Sequence, residues 1–474
     1  MKLSQILSEL PYGTNDVEIT SITNDSRKVE NGTLFFCIEG TKTDGHKFAP
    51  NAADKGAAAV VAEHNVGVDC QVIVPNTHLA YAKACSAFYG NPKDSLKLIG
   101  VTGTNGKTTT SYLVKSMLEH MGKKVGLIGT IQNMIGDLVI PAEITTPDAA
   151  ELHSLLRRMV DAGCEYAVME VSSHALDQDR VAGMHYASAV FTNLTQDHLD
   201  YHGTMENYIA AKRKLFTMTD VAVANKDDLY YNNMVSGITC PAVTYAVNAD
   251  ADWRAENIEY LPGGTKFTLT GRNMSEHVAT VTPGRFSVYN ALAAASCMLS
   301  LGFECKQVCA ALSEAPGVKG RAEVVPTGRD FTVIIDYAHT PDGVANILSA
   351  MNEIKTGRLV TLFGCGGDRD RTKRPIMGKI AADMSDYCIV TSDNPRTEQP
   401  NAIISDILEG MKDTKTPYTV IENRRQAIFF AVKNAQPNDV IVLAGKGHET
   451  YQIIGTVKNH FDEREIVAQA LSEL

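Results

Sequence analysis

Leu98-Ile99-Gly100-Val101-Thr102-Gly103-Thr104-Asn105-Gly106-Lys107-Thr108-Thr109 sets a buried apolar run against a glycine-rich turn, and the pattern then continues as helix to about Met121. A strand that feeds a helix through such a turn predicts an α/β fold, and the turn itself predicts a phosphate site. Glycines let backbone N–H groups face phosphate oxygens, and the helix N-terminus adds positive potential. Lys107 can reach the terminal phosphates, and the hydroxyl of Thr108 can hold magnesium. Gly103, Thr104, Asn105, Gly106, Lys107, Thr108 and Thr109 are therefore candidate nucleotide-triphosphate residues. The match to a strict Walker A pattern is incomplete, because Val101 stands where that pattern has glycine. No dinucleotide GxGxxG competes with it.

Outward from this turn, apolar runs alternate with helical stretches. Lys124 to Ile128, Tyr166 to Met169, Ala187 to Thr192 and Val221 to Ala224 read as strands, predicting a mostly parallel sheet covered by helices. From Ala251 to Val281 the pattern becomes antiparallel and peripheral, with Gly263-Gly264 as a hairpin signal. Upstream, Thr33 to Ile38, Ala58 to Ala62 and Val72 to Val74 are short strand-like runs of a small α/β block. Beyond Pro316-Gly317-Val318-Lys319-Gly320, strands at Phe331 to Asp336, Leu359 to Phe363, Tyr387 to Thr391 and Val440 to Ala444 predict a second doubly wound unit. The expected domains are 1–95, 96–317 and 318–474.

Length agrees with that division: 474 residues are about three times the usual ~150-residue domain, which excludes a single small binding module. With 44 Lys and Arg against 55 Asp and Glu, the net charge of -11 disfavours general capture of nucleic acid or of an anionic membrane. An anionic ligand must then be held by a local site. No apolar run approaches the roughly 18 residues that span a bilayer, and the opening MKLSQILSELPYGTND breaks too early for a signal peptide. The ten cysteines lack CxxC spacing, and the closest two, Cys305 and Cys309, are one helical turn apart. Reduced, mostly buried thiols, a cytoplasmic setting and no zinc site are expected.

Magnesium needs more ligands than a phosphate loop supplies, so carboxylate and histidine at neighbouring strand ends are the next candidates. Glu170 ends the run Ala167-Val168-Met169, and His198 follows the next strand within Asn193-Leu194-Thr195-Gln196-Asp197-His198. In an open parallel sheet the carboxyl ends of adjacent strands face one crevice, so both can converge on the phosphate loop. Taken alone, His198 reads as a capping or packing histidine rather than a ligand.

The strings GTNGKTTT, MEVSSHAL, FTNLTQDHLDYHG and YIAAKRKLF resemble the Mur ligases of peptidoglycan precursor synthesis. So do Asn290 in VYNALAAAS, Arg321 in GVKGRAEVV, and DYAHTPD, GCGGDRD, SDNPRTE and AGKGHE, which extends the resemblance over all three blocks. The resemblance implies a small N-terminal α/β domain for the UDP end of the substrate, a central P-loop ATPase domain and a Rossmann-like C-terminal domain that brings the amino acid. The activity it implies is ATP-dependent addition of meso-diaminopimelate to UDP-N-acetylmuramoyl-L-alanyl-D-glutamate, through an acyl phosphate attacked by the incoming amine. It further implies two magnesium ions held with Thr108, Glu170, His198 and Lys212, the last as a carbamate; read on its own, Lys212 is one of three solvated basic residues in Lys212-Arg213-Lys214. A monomer is expected.

Residue by residue, the same resemblance places Ser26, with Asn24-Asp25-Ser26-Arg27 and Thr41-Lys42-Thr43-Asp44-Gly45, at the uridine diphosphate. Thr145, Thr146, Ser172, Gln178 and Arg180 fall where the muramoyl peptide is held; Arg180 also has a physical case, since a guanidinium grips carboxylates bidentately. Asn290, Arg321, Asp336 and His339 would meet adenine and ribose, although an isolated Asn290 reads equally as a helix cap. Asp393, Asn394, Pro395 and Arg396, with Arg369, Gly445 and Glu449, correspond to the amino-acid site. A zwitterionic distal end calls for paired acid and base, and Arg396 with Glu449 supplies both. An L-lysine-adding homologue, a folylpolyglutamate-type ligase and a nucleotide-driven binding protein are the rival readings. Hinges are expected around Val281-Thr282-Pro283-Gly284 and Pro316-Gly317.

Overall fold

The computed structural model describes residues 1–7, 15–40 and 43–474. The early break at Pro11 and the Thr41-Lys42 part of the expected uridine contact lie outside the described residues. The described chain forms two compact units, Met1–Asp252 with Ala293–Glu304, and Trp253–Leu292 with Cys305–Leu474.

In the first unit, a four-stranded parallel sheet runs Ser21–Thr23, Thr33–Phe36, Ala59–Ala62 and Gln71–Ile73 in that order. Thr33–Phe36 and Ala59–Ala62 are buried along their whole length, as expected for strands covered on both faces. The strand Ser21–Thr23 was not foreseen, being only three residues long.

The central sheet of this unit orders its parallel strands Ala242–Ala246, Ala222–Asn225, Ser188–Phe191, Lys97–Thr102, Tyr166–Glu170 and Val125–Ile128. The chain winds one way from Lys97–Thr102 through Val125–Ile128 to Tyr166–Glu170, then crosses to Ser188–Phe191 on the other side. The opening strand therefore lies at the switch point, where the carboxyl ends of an open α/β sheet leave a crevice. Two antiparallel strands, Gln132–Ile135 and Leu138–Pro141, extend the edge beyond Val125–Ile128. The sequence reading passed over that hairpin, whose strands are short and separated only by Gly136-Asp137.

The second unit holds an antiparallel ribbon, Trp253–Leu261, Gly264–Gly271 and Met274–Thr280. Leu261 pairs with Gly264, so the first turn is Pro262-Gly263, one residue earlier than the expected Gly263-Gly264. The next turn is Arg272-Asn273, both at positive φ (48° and 62°), the geometry that matches strand twist in a two-residue hairpin. The helix Arg285–Ser300 begins just after Pro283-Gly284, well before Asn290. Asn290 thus sits inside the helix, and its reading as a helix cap does not hold.

Six strands form the remaining sheet, ordered Glu323–Val325, Thr332–Asp336, Val440–Ala444, Leu359–Phe363, Tyr387–Val390 and Tyr418–Val420. All but the first pairing are parallel. The loops after four neighbouring strands consequently gather Asp336, GCGGDRD, DNPR and AGKGHE at one end. Beneath them the fully buried Arg374 donates to Glu398 (2.7 and 2.9 Å), to Asp406 (2.8 Å) and to the Gly366 carbonyl (3.3 Å). Hydrogen bonding to Arg374 is the main cause that holds the Glu398 carboxyl down at about 2. Arg374→Met is expected to cost about 2–3 kcal/mol in urea denaturation, because Glu398 loses its paired cation while Asp406 keeps only the exposed Arg371 (3.0 Å); a loss under about 0.5 kcal/mol would contradict this.

Eight of the ten cysteines are buried. Among the described residues no helix is long and apolar enough to cross a membrane.

Candidate active site

The turn after Lys97–Thr102 is fastened from the neighbouring strand end. Thr104 N–H donates to the Asn193 carbonyl (2.8 Å), Asn105 N–H to Asn193 Oδ1 (2.9 Å), and Thr192 Oγ1 to the Asn105 carbonyl (2.6 Å). Gly103 has φ 149°, and a Cβ there would lie 1.9 Å from Thr192 Oγ1, so only glycine lets the loop fold against that hydroxyl. Helix Lys107–His120 starts from Gly106 with no side-chain cap, so the positive end of its dipole faces the loop.

Two lysines converge on one carbonyl. Lys107 Nζ donates to the Gly103 and Thr104 carbonyls (2.9 and 2.8 Å), and Lys212 Nζ donates to the same Gly103 oxygen (2.8 Å). Lys212 lies on the helix Met205–Arg213, 1% exposed, its Nζ 4.6 Å from the Tyr208 ring centre. Its plain reading as a solvated residue is therefore overturned: the helix turns Lys212 inward while its neighbours remain partly solvated. Burial first, and the charge of Lys107 second, hold its amine well below the ordinary lysine range, against an opposing pull from Asp197.

Glu170 is the second node, and sheet register explains why. Val101 pairs with Glu170, and Ile128 pairs with Met169, so the residues following all three strands meet at one level. Glu170 Oε2 accepts from Thr108 Oγ1 (3.0 Å) and Thr130 Oγ1 (3.0 Å), and Oε1 accepts from Thr130 N–H (2.8 Å). Thr145 touches Thr130 through their hydroxyls (3.1 Å), and Thr146 Oγ1 donates to the Glu170 carbonyl (2.8 Å). Ser172 N–H donates to Thr146 Oγ1 (3.0 Å), while Arg180 donates to the Thr146 carbonyl (3.0 Å) and to Gln178 Oε1 (3.0 Å). The phosphate-loop residue Thr108 and the residues expected at the muramoyl peptide thus form one hydrogen-bonded set around a fully buried carboxylate. Sequence reading missed Thr130, whose signal was its place two residues past a parallel strand.

His198 stands in a left-handed conformation (φ 53°) ahead of helix Leu199–His202 and makes no side-chain cap bond. Its Nε2 is 3.4 Å from Asp197 Oδ2, and its ring is 4.9 Å from that of His174. Burial lowers its pKa, with Lys107 and Lys212 adding to the effect and Asp197 opposing it, which favours the neutral imidazole a metal requires. Beyond His174 opens a cavity of about 800 Å³ lined by Asp177, Asp200, Tyr201, His202, Asn207 and Lys214. Among the described residues no cluster of three or more His, Cys, Asp or Glu side chains is arranged as a metal site. Oxygen donors do suit a hard cation: Thr108 and the buried Glu170 adjoin the loop.

Ser26 is half-buried in a turn, its carbonyl accepting from Lys55 Nζ (2.8 Å) beside the Arg27–Asp25 pair (2.8 Å). In the second unit Asn290 is buried, and the Arg321 guanidinium lies 5.0 Å from the Tyr337 ring centre. Asp336 accepts from Ala322 and Ala338 N–H groups (2.7 and 2.8 Å), and His339 Nδ1 contacts the Tyr337 carbonyl (2.8 Å). Arg396 (φ 52°) donates to the Gly367 carbonyl (2.8 Å) close to the exposed Arg369. Asn394 Nδ2 donates to Glu449 Oε2 (2.8 Å), and Pro395 is buried between Asn394 and Arg396. Gly445 (φ 117°) passes so near Asp393 that a Cβ would lie 2.6 Å from Oδ2.

A phosphate loop, a buried carboxylate at the adjacent strand end and an inward-facing lysine pair on a doubly wound sheet define a nucleotide-using α/β enzyme. Family models narrow the class: "Mur ligase family, catalytic domain" matches residues 18–93, "Mur ligase middle domain" 101–298, and "Mur ligase, glutamate ligase domain" 320–447. The chain belongs to the Mur ligase family. It is 47% identical over 485 residues to the UDP-N-acetylmuramoyl-L-alanyl-D-glutamate–2,6-diaminopimelate ligase of Clostridium botulinum, covering 100% of both chains. To the enzyme of the same name from Caldanaerobacter subterraneus subsp. tengcongensis it is 49% identical over 481 residues, covering 100% of this chain and 99% of that one. A solved structure of a ligase with that name superimposes with a TM-score of 0.75 at 33% identity, over 100% of this chain and 99% of the other.

Proposed function

We propose that the protein joins meso-2,6-diaminopimelate to UDP-N-acetylmuramoyl-L-alanyl-D-glutamate, consuming ATP through an acyl phosphate, as a step of peptidoglycan precursor synthesis. The observation that carries the reading is full-length similarity, at nearly half identity, to ligases so named, together with the Glu170 set that ties Thr108 to Thr146 and Arg180. A carboxylate does not react with amines at neutral pH, so it must gain a leaving group. Transfer of the γ-phosphoryl group supplies one and releases ADP; attack by the amine then expels phosphate.

In this reading the domains 1–95, 96–317 and 318–474 hold the UDP end, ATP and the amino acid in turn. Ser26 contacts the uridine diphosphate, and Thr145, Thr146, Ser172, Gln178 and Arg180 hold the peptide. Residues Gly103 to Thr109 cradle the phosphates; Asn290, Arg321, Asp336 and His339 serve adenine and ribose. Lys107 offsets charge on the transferring phosphoryl group, and Arg180 orients the substrate carboxylate. Magnesium would be held by Thr108, Glu170, His198 and a Lys212 carbamate, and when bound it offsets the repulsion between carboxylate and triphosphate. Arg369, Asp393, Asn394, Pro395, Arg396, Gly445 and Glu449 form the amino-acid site. The enzyme works as a cytoplasmic monomer.

Phosphate release is expected only when ATP, the UDP-muramoyl dipeptide and meso-diaminopimelate are all present, with L-lysine giving under about a hundredth of that rate, since lysine lacks the distal carboxylate that the half-buried Arg396 guanidinium would pair with. A switch-like ATPase would release phosphate without the other two substrates. Efficient lysine use would refute the diaminopimelate assignment, and glutamate addition to a folate would indicate the folylpolyglutamate type.

A further inference from the structure

Lys446 is fully buried, with 0% of its side chain exposed, yet it carries a charge that the site residues above do not use. Its ammonium donates to Glu449 Oε2 (3.0 Å) and to Asn394 Oδ1 (3.1 Å). Asn394 Oδ1 also accepts from Ile453 N–H (2.9 Å), which fixes the orientation of the amide and turns Nδ2 toward Glu449 Oε2 (2.8 Å). The rings of Tyr451 and Phe461 lie with centres 5.8 Å from Nζ. One ammonium therefore ties together the loop after Tyr387–Val390, the loop after Val440–Ala444 and the hairpin strand Tyr451–Ile454. Two donors occupy Glu449 Oε2, leaving Oε1 as the oxygen with capacity for a further cation.

Charge completes the picture. The neighbouring Arg424 is fully buried, pairs with the equally buried Glu463 (2.8 Å) and lies 3.9 Å from Asp393 Oδ2. Among the buried and half-buried charges, Lys446, Arg424 and Arg396 thus stand against Glu449, Glu463 and Asp393, a balanced inner set, with the exposed Arg369 at its solvent edge. A balanced, largely dry site suits an amino acid whose distal end is zwitterionic. Without Lys446 the set would carry one net negative charge, which suits a cationic distal end instead.

We propose that Lys446 is a positioning residue that fixes Glu449 and Asn394 and, by balancing their charge, makes the site favour a zwitterionic over a cationic amino-acid end. This rests on the reading that Arg396 and Glu449 receive the amino acid. The test compares the wild type with Lys446→Met and Lys446→Arg, using meso-diaminopimelate and L-lysine as amino acids. In the Met variant KM for diaminopimelate rises about 30-fold with kcat within about threefold, as for removal of one partner from a buried charge pair. The ratio of kcat/KM for diaminopimelate over lysine falls at least tenfold, KM for ATP is unchanged, and the Arg variant restores most of the ratio. If the Met variant does not fold, Lys446→Gln, which keeps a donor without the charge, carries the same expectation. Equal losses toward both amino acids, or an Arg variant no better than Met, overturn the role of Lys446. A wild-type enzyme that turns over neither amino acid overturns the underlying reading, and shows itself before any variant is made.

Discussion

Lys107→Met is expected to lower kcat for substrate-dependent phosphate release by about 10³-fold while the thermal midpoint stays within a few degrees. Lys107 is the first residue of helix Lys107–His120, and its ammonium donates to the loop carbonyls of Gly103 and Thr104. A triphosphate is a far stronger acceptor than a peptide oxygen, so the side chain has more to gain from the nucleotide than from the loop. On the proposed reading, charge migrating onto the bridging and terminal oxygens during phosphoryl transfer would be met by a preplaced cation. The half-buried position explains the small stability effect: solvent can reach the two carbonyls once the ammonium is gone. Methionine keeps the length of the stem, so a packing defect does not confound the rate. Steady-state kinetics with each substrate varied checks this, and a loss smaller than tenfold would remove Lys107 from the chemical step.

The legible part of this protein was local. A strand, a glycine turn and a helix announce the phosphate loop because all three lie within a dozen residues and each has its own periodicity. Glu170 was legible for a similar reason, since a carboxylate at the end of the buried run Tyr166–Glu170 has no packing role to explain it. Thr130 was not, because its contact with Glu170 depends on which strands are neighbours, and strand order is set by long-range pairing. Lys212 illustrates the same limit in a helix: sequence shows three basic residues in a row, and only tertiary packing shows that one of them turns inward. Lys446 lies inside a string whose glycine and glutamate drew notice, yet a lysine between glycines looks solvated until its 0% exposure is seen. Hydrophobic patterning thus located the elements, and register, which patterning does not encode between distant strands, assembled the site.

Lys212→Met is expected to act in opposite directions on activity and stability, which separates a functional lysine from a structural one. Burial drives the folded-state pKa of Lys212 well below its unfolded value. Between those two values the unfolded chain binds a proton that the folded chain does not, so stability rises with pH across that window and the lysine is a cost at neutral pH. Against wild type kept free of carbon dioxide, in which the amine is unmodified, methionine removes the cost: the melting temperature at pH 7 rises, and the pH dependence in that window flattens. On the proposed carbamate, activity is expected to go the other way, because a neutral amine is the form that would capture carbon dioxide: the nitrogen lone pair bonds to carbon, one proton leaves, and an anionic carbamate results. Gly103 keeps Lys107 as a donor to its carbonyl, so the loop retains its shape in the variant. A kcat loss of about 10²-fold is expected, the size that follows when one preorganised charge is removed. Wild-type enzyme in carbonate-free buffer should slow and recover on addition of bicarbonate, whereas the Met variant should respond to neither. Undiminished turnover in the variant, with a wild type indifferent to bicarbonate, would leave Lys212 as a buried lysine whose only effect is to make the fold less stable.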